Sequence, residues 1–122
     1  MARFLSFELP IDLTSPRLAR DWLNAAAPSS DPQTAEELVL LTSELVSNAV
    51  KHSGTPREDI MLRIYLDERV RVEVVGGGPG FTLPDGSSPG ERWGGLRLVD
   101  RLARDWGIER EGPRTKVWFE LG

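Results

Sequence analysis

The feature that most constrains this chain is the stretch from Asp31 to Gly54. Asp31-Pro32 reads as a helix start, because proline has no N–H to lose at the first helical position and its φ already suits a helix. Leu38, Leu41, Leu45 and Ala49 then recur at spacings of three and four, the apolar stripe of an amphipathic helix. Glu36 and Glu37 stand near its start and Lys51 and His52 near its end, which complements the helix dipole. The helix is expected to run to about Ser53, with Gly54 as its stop. A helix this long needs an apolar surface to cover its stripe.

The residues after it supply that surface. Ile60, Leu62, Ile64 and Leu66 alternate along one strand and Val70, Val72 and Val74 along the next, with Asp67-Glu68 as the turn. This is a hairpin with one buried side, and Arg71 and Glu73 fall on the other. Ahead of the long helix, residues 3–9 alternate weakly, with Phe4 and Phe7 flanking polar positions, and read as a first strand. Ser15-Pro16 repeats the start signal, with Ser15 as N-cap. Leu18, Trp22, Leu23 and Ala26 continue that helix until Pro28 ends it. Residues 76–95 are rich in Gly, Pro and Ser and read as a long loop, which inside a compact domain is usually functional or mobile. Gly94-Gly95 opens a third helix with Leu96, Val99, Leu102, Ala103 and Trp106 on its apolar face and Arg97, Arg101 and Arg104 toward solvent. Gly107 to Glu111 and Thr115 to Leu121 close the chain as a hairpin around Gly112-Pro113.

The order is therefore β-α-α-β-β-loop-α-β-β. Strands joined by short turns are antiparallel. The economical arrangement is α+β: a two-layer sandwich, a mostly antiparallel sheet with the helices on one face, in one domain over residues 1–122. Composition narrows what such a domain does. There is no cysteine, which excludes disulfides, thiolate metal sites and cysteine nucleophiles. A net charge of -4 argues against nucleic acid as a direct partner, since phosphate binding wants a concentrated positive face. No apolar run approaches the ~18 residues that span a bilayer, and Glu8 and Pro10 interrupt any signal-peptide core. A cytoplasmic location without a membrane partner is expected.

Chemistry concentrates in three places. Glu44, Asn48 and His52 are spaced by four, and each step of four rotates about 40° around the helix, so they form one gently drifting row beside the apolar stripe. Such a row lines a cleft. An Asn oxygen can ligate Mg²⁺ without adding charge, and a Glu can polarise a water or hydroxyl; the alternative is an ordinary polar helix edge. The turn from Gly76 to Gly80 lets backbone approach a ligand, or is simply a flexible turn. The Gly94-Gly95 helix start offers free N–H groups and a positive dipole end to a phosphate, or is only a tight junction.

Taken together, Glu44 to Gly54, Gly78 to Phe81, Gly95 to Ala103 with Trp106-Gly107, and Thr115 to Leu121, with the opening Leu9-Pro10 and Ser15 to Leu23, resemble the Bergerat-fold (GHKL) ATPase superfamily. Within it the chain looks like the anti-sigma-factor serine/threonine kinases, and the resemblance covers essentially the whole chain. It implies ATP and Mg²⁺ as cofactors. Asn48 would ligate the metal and Glu44 would be the general base acting on a serine or threonine hydroxyl of a protein substrate. Gly78 and Gly80 would let backbone pass the base, Thr82 to Gly94 would form a short lid, and Gly95 and Leu96 would lie near the phosphates. Thr115 would lie near the adenine pocket, and His52 would be a structural partner at the helix end. The implied nucleotide-binding set is Asn48, Gly76, Gly78, Gly80, Gly94, Gly95, Leu96 and Thr115.

Two positions depart from the family pattern. The adenine-reading motif is Asp-x-Gly-x-Gly, and Gly76 stands where its carboxylate belongs. Position 76 shares strand parity with Val70, Val72 and Val74, so it faces the pocket, whereas Glu73 points the other way. A hydrogen bond to a charged group contributes about 1.5–3 kcal/mol, roughly 10- to 150-fold in affinity. Trp93 stands at the first of the phosphate-loop glycines, with Gly94 beside it. Three functions follow: an ATP-dependent kinase acting on a STAS-domain anti-anti-sigma protein and binding a sigma factor; a degenerate member with weak or no ATP binding that serves as a protein-binding regulatory module; and, ranked last, a detached histidine-kinase catalytic domain. The resemblance also implies homodimer and partner contacts around the first helix. There Arg17 and Arg20, away from Leu18 and Trp22, are candidates to face a STAS partner, or are ordinary solvated residues.

Overall fold

The computed structural model describes residues 3–26, 31–52, 59–76 and 94–122. Among them the elements run β1 (Arg3–Leu9), α1 (Ser15–Ala26), α2 (Pro32–His52), β2 (Ile60–Leu66), β3 (Val70–Gly76), α3 (Gly94–Leu102), β4 (Asp105–Glu111) and β5 (Arg114–Leu121). The strands form one sheet in the order β1-β2-β3-β5-β4, every neighbouring pair antiparallel. The α+β sandwich expected from the sequence is the fold observed.

Alternation builds the inner face. Ile64 lies opposite Val72, which lies opposite Phe119, and Leu62, Val74 and Val117 form the next row. These side chains are fully buried, together with Leu23 of α1, Leu38, Leu41, Leu45 and Ala49 of α2, and Leu96 and Val99 of α3. Burying one such leucine or valine contributes about 1.5–3 kcal/mol. The α2 stripe is thereby a larger stabiliser than any helix propensity in it, which spans under ~1 kcal/mol per ordinary residue. α2 lies between α1 and α3, with α1 reaching β1 and α3 reaching β4. That flanking explains why α2 is buried beyond its stripe, at Thr42, Ser43, Val46 and Asn48 as well.

Helix starts follow the sequence with one shift. Asp31 caps α2: its carboxylate accepts from the Thr34 N–H at 3.1 Å and the Thr34 hydroxyl at 2.6 Å, and these bonds hold its pKa below the usual value, the hydroxyl foremost. At α1 the cap is Thr14, one residue before the expected Ser15, since the Thr14 carbonyl accepts the first helical bond from Leu18. Asp12 fixes Thr14 through its N–H and hydroxyl. Ser15 is instead fully buried and donates its hydroxyl to the Pro10 carbonyl, tying α1 to the end of β1. Pro28 lies outside the described residues.

One further expectation is corrected. Trp106 belongs to β4, not to the third helix, which ends at Leu102. The Arg104 N–H goes to the Glu120 carbonyl at 2.8 Å, a sheet-side partner that ends the helix, and the Trp106 indole N–H donates to Asp100 at 2.8 Å. Phe4 is on the outer face, 55% exposed and 4.9 Å from the Tyr65 ring; Phe7 turns inward onto Trp22 at 4.7 Å. The closing hairpin turns at Gly112, whose φ of 61° suits a first central turn position. Pro113 follows with a φ restricted to negative values, so the turn is of type II′.

The outer face of the sheet is not the simple polar surface that alternation suggested. Glu73 is only 5% exposed. Its carboxylate receives Arg71 Nε at 3.1 Å, the Tyr65 hydroxyl at 3.2 Å, Arg63 at 3.5 Å and Lys116 at 3.6 Å. Arg63 also grips Glu111 by two parallel bonds of 2.9 and 2.7 Å, which lower the Glu111 pKa and raise that of Arg63. Lys116 reaches Glu109 at 3.1 Å, which raises its pKa. Arg71 continues to Glu120 at 3.0 Å and lies 4.1 Å over the Trp118 ring. Burial, then the Glu73 charge, push the Tyr65 hydroxyl up.

Candidate functional site

The polar row on α2 is half inside the molecule. Glu44 is partly buried and Asn48 is 6% exposed. On a helical wheel the row lies at the edge of the buried arc opposite Val39 and Ser43, residues that line a groove shared with Arg20 and Asn24 of α1. Glu44 and Asn48 therefore face away from α1, on the flank where α3 stands. Asn48 Nδ2 is buried without a hydrogen-bond partner. Such a group is rare in a native interior and calls for a ligand or a cause. His52 is the last residue of α2.

Topology brings the rest of the set to the same end of the domain. Leu9 pairs with Ile60 beside the point where β3 finishes, so α1 starts at that end and α2 returns to it. β3 finishes at Gly76, which is buried and pairs with Thr115 at the start of β5. Thr115 is 1% exposed. The inner-face parity expected for position 76 is what the register shows: Gly76 follows Val74 and Val72 across from β5. Glu73 lies on the opposite face, enclosed by Arg63, Tyr65, Arg71 and Lys116, and cannot supply the missing carboxylate. α3 ends just before β4 begins, at the far end of the sheet, and packs against α2 and β4. Leu96 is fully buried; what it can offer a ligand is its backbone N–H in the first turn of α3. Gly78, Gly80, Trp93 and the lid from Thr82 lie outside the described residues.

One residue of this end escaped the sequence reading. Arg110 lies opposite Thr115 on β4, on the inner face by parity with Trp106 and Ile108, and its Nη1 donates to Thr115 Oγ1 at 3.3 Å. The signal was the alternation Trp106, Ile108, Arg110, which ends an apolar series with a cation.

The described residues fit a nucleotide held with a divalent cation. Asn48 has a buried carboxamide with an unpartnered end, Glu44 stands one turn away, and Gly76 leaves the inner face of β3 without a side chain beside Thr115. Among the described residues no group of three His, Asp or Glu side chains stands ready to hold a metal. A cation at Asn48 would thus draw its other ligands from water and phosphate, the usual state of Mg²⁺.

Comparison with known proteins agrees. Residues 9–121 match the family described as the histidine kinase-like ATPase domain. A search of curated proteins found no match. Among solved structures, the RsbU and RsbW domains of Rv1364c from Mycobacterium tuberculosis superpose with a TM-score of 0.74 at 22% identity, over 98% of this chain and 31% of that one. The histidine kinase domain of the Erythrobacter litoralis EL346 blue-light activated histidine kinase gives 0.53 at 22% identity, over 92% of this chain and 60% of that one. The chain thus spans about a third of the first neighbour and somewhat under two thirds of the second, and the likeness to both is one of fold. No described helix is long and apolar enough to cross a membrane. With the match running through nearly all of its residues, this chain belongs to the histidine kinase-like ATPase domain family.

Proposed function

We propose that the chain binds ATP with Mg²⁺ at the end of the sheet where β3 meets β5, and acts as a serine/threonine kinase on a STAS-type regulatory partner. The observation that carries the reading is the buried Asn48 carboxamide, whose unpartnered nitrogen is a donor left for an acceptor such as a phosphate oxygen, one turn from a half-buried Glu44. The bound cation would neutralise phosphate charge. Asn48 would hold it through the amide oxygen. Glu44 would accept the proton of the attacking hydroxyl, and the first N–H groups of α3 would orient phosphate oxygens. Thr115 and the backbone at Gly76 would border the base.

Arg17 and Arg20 are exposed on α1, which suits the partner surface proposed there, for a STAS protein, a sigma factor or a second copy. The Mycobacterium tuberculosis neighbour carries an RsbW domain together with an RsbU domain, which supports a regulatory protein as partner. A second reading has its own support: with glycine at position 76, the domain serves as a protein-binding module with weak nucleotide affinity. Calorimetry with Mg-ATP, followed by transfer of labelled γ-phosphate to a STAS protein, separates the two. Binding with transfer supports the kinase; partner binding without either leaves the module.

A further inference from the structure

Alternation leaves the inner face of the sheet almost without polar side chains. On β2, β3 and β5 every inward side chain is aliphatic or a phenylalanine, except at Gly76 and Thr115. On β4 the inward positions are Trp106, Ile108 and Arg110, which donate hydrogen bonds or make none. Thr115 therefore carries the one hydrogen-bond acceptor among the inward side chains of these four strands. It is 1% exposed and stands directly opposite Gly76, and opposite positions of an antiparallel pair set their side chains about 4.5–5.5 Å apart. A threonine hydroxyl has two lone pairs and one hydrogen. Arg110 Nη1 takes one lone pair, at 3.3 Å, and is the hydroxyl's one partner among the described residues. A second lone pair is left beside the place where the family's carboxylate is absent.

We propose that the Thr115 hydroxyl recognises the base in place of the missing carboxylate, accepting a hydrogen bond from the 6-amino group of adenine. The inference rests on the nucleotide reading above and names the group that reads the base. A 6-amino group needs an acceptor, and no other inward side chain of β2, β3, β4 or β5 supplies one. The exchange also sets a magnitude. A neutral hydrogen bond is worth about two- to tenfold in affinity, against roughly 10- to 150-fold for one to a charged group. Adenine recognition thus moves one strand across, from β3 to β5, and weakens in doing so. Thr115 is in this account a specificity-determining residue, which acts on affinity for the base and not on phosphate transfer.

The test is calorimetry on the full chain with Mg-ATP and with the Mg²⁺ complex of purine riboside triphosphate, which has hydrogen in place of the 6-amino group. Removing the amino group is expected to weaken binding by about threefold or more. Thr115→Val keeps the branched shape and drops the hydroxyl. It should weaken Mg-ATP by a similar factor and bind the two nucleotides equally, while Thr115→Ser keeps the difference. Thermal melts check that both variants fold, with Thr115→Ala in place of a valine variant that does not, and the comparison on the unaltered chain needs no variant. Equal binding of the two nucleotides by the unaltered chain overturns the proposal and leaves the nucleotide site standing. A difference that persists in folded Thr115→Val also overturns it, since another group would then read the amino group. If neither nucleotide binds at millimolar concentration, the nucleotide reading fails and the role of Thr115 with it.

Discussion

The two faces of β3 treat polar groups in opposite ways. Outward, Glu73 is buried yet surrounded by four donors from three strands. Inward, three residues on, Gly76 brings no side chain at all, and across the site Asn48 keeps a buried nitrogen without a partner. A buried charge is tolerated when its lone pairs are satisfied, and an unsatisfied amide is retained where something else satisfies it. One face uses its carboxylates and cations to tie β2, β3, β4 and β5 together, with Trp118 Nε1 left unpartnered; the other keeps the Asn48 nitrogen uncommitted. Stability and function are thereby separated across a single strand, and substitutions on the two faces are expected to report on different measurements.

The largest effect is expected on the uncommitted side. Glu44→Ala should reduce phosphate transfer to a STAS protein by about 100-fold or more, the usual contribution of a general base, while nucleotide affinity in calorimetry stays near wild type. Retained transfer would remove Glu44 from that role. Gly76→Asp should raise ATP affinity by about tenfold or more, because it restores an acceptor for the amino group; no gain would mean position 76 does not border the base.

On the satisfied face, Glu73→Gln leaves Arg63, Arg71 and Lys116 facing a neutral group. The cost is expected at about 1–3 kcal/mol, below that of a fully buried pair, because the arginine side chains keep about a quarter of their surface exposed. Urea unfolding measures it, with nucleotide binding unchanged. Gly107→Ala tests the same face sterically. An added Cβ would sit 2.8 Å from Trp118 Nε1, so the indole must leave its place under Arg71, at about 1–3 kcal/mol for overpacking, with a change in tryptophan fluorescence. The smallest effect is in acid. Arg63 holds the Glu111 pKa below its ordinary value of 4.5, so the pair's contribution is complete above that value and fades as pH falls through the lowered one. Glu111→Gln should therefore flatten the loss of stability in urea below pH 4.5, by under about 1 kcal/mol; an unchanged slope would remove the pair from the acid response.

How legible the molecule was in its sequence depended on range. α2, β2 and β5 follow from periodicity, since each buries one regular face. The inner-facing position of Gly76 came from counting by twos from Val70. Trp106 was misread because Val99, Leu102, Ala103 and Trp106 keep helical spacing, and nothing local reveals that the Arg104 N–H is taken by Glu120. The network around Glu73 was invisible for a similar reason: Arg63, Arg71, Glu111 and Lys116 lie on four strands and meet only through their register. Arg110 was missed in the same way, its importance coming from Thr115 across the strand pair. In the site, α2 was readable because Glu44 and Asn48 are local to one helix.

The sheet order also bears on assembly. With β1 and β4 outermost, the free rim on one side is a strand that carries Asp105, Glu109 and Glu111 within seven residues. A second copy approaching rim to rim along β4 would have to bring these carboxylates and the exposed Arg110 together, and charged side chains on an edge strand are a recognised guard against continuous inter-chain sheets. Growth of the sheet by self-pairing is discouraged on that side, which turns any self-association of this domain toward its helices or toward β1.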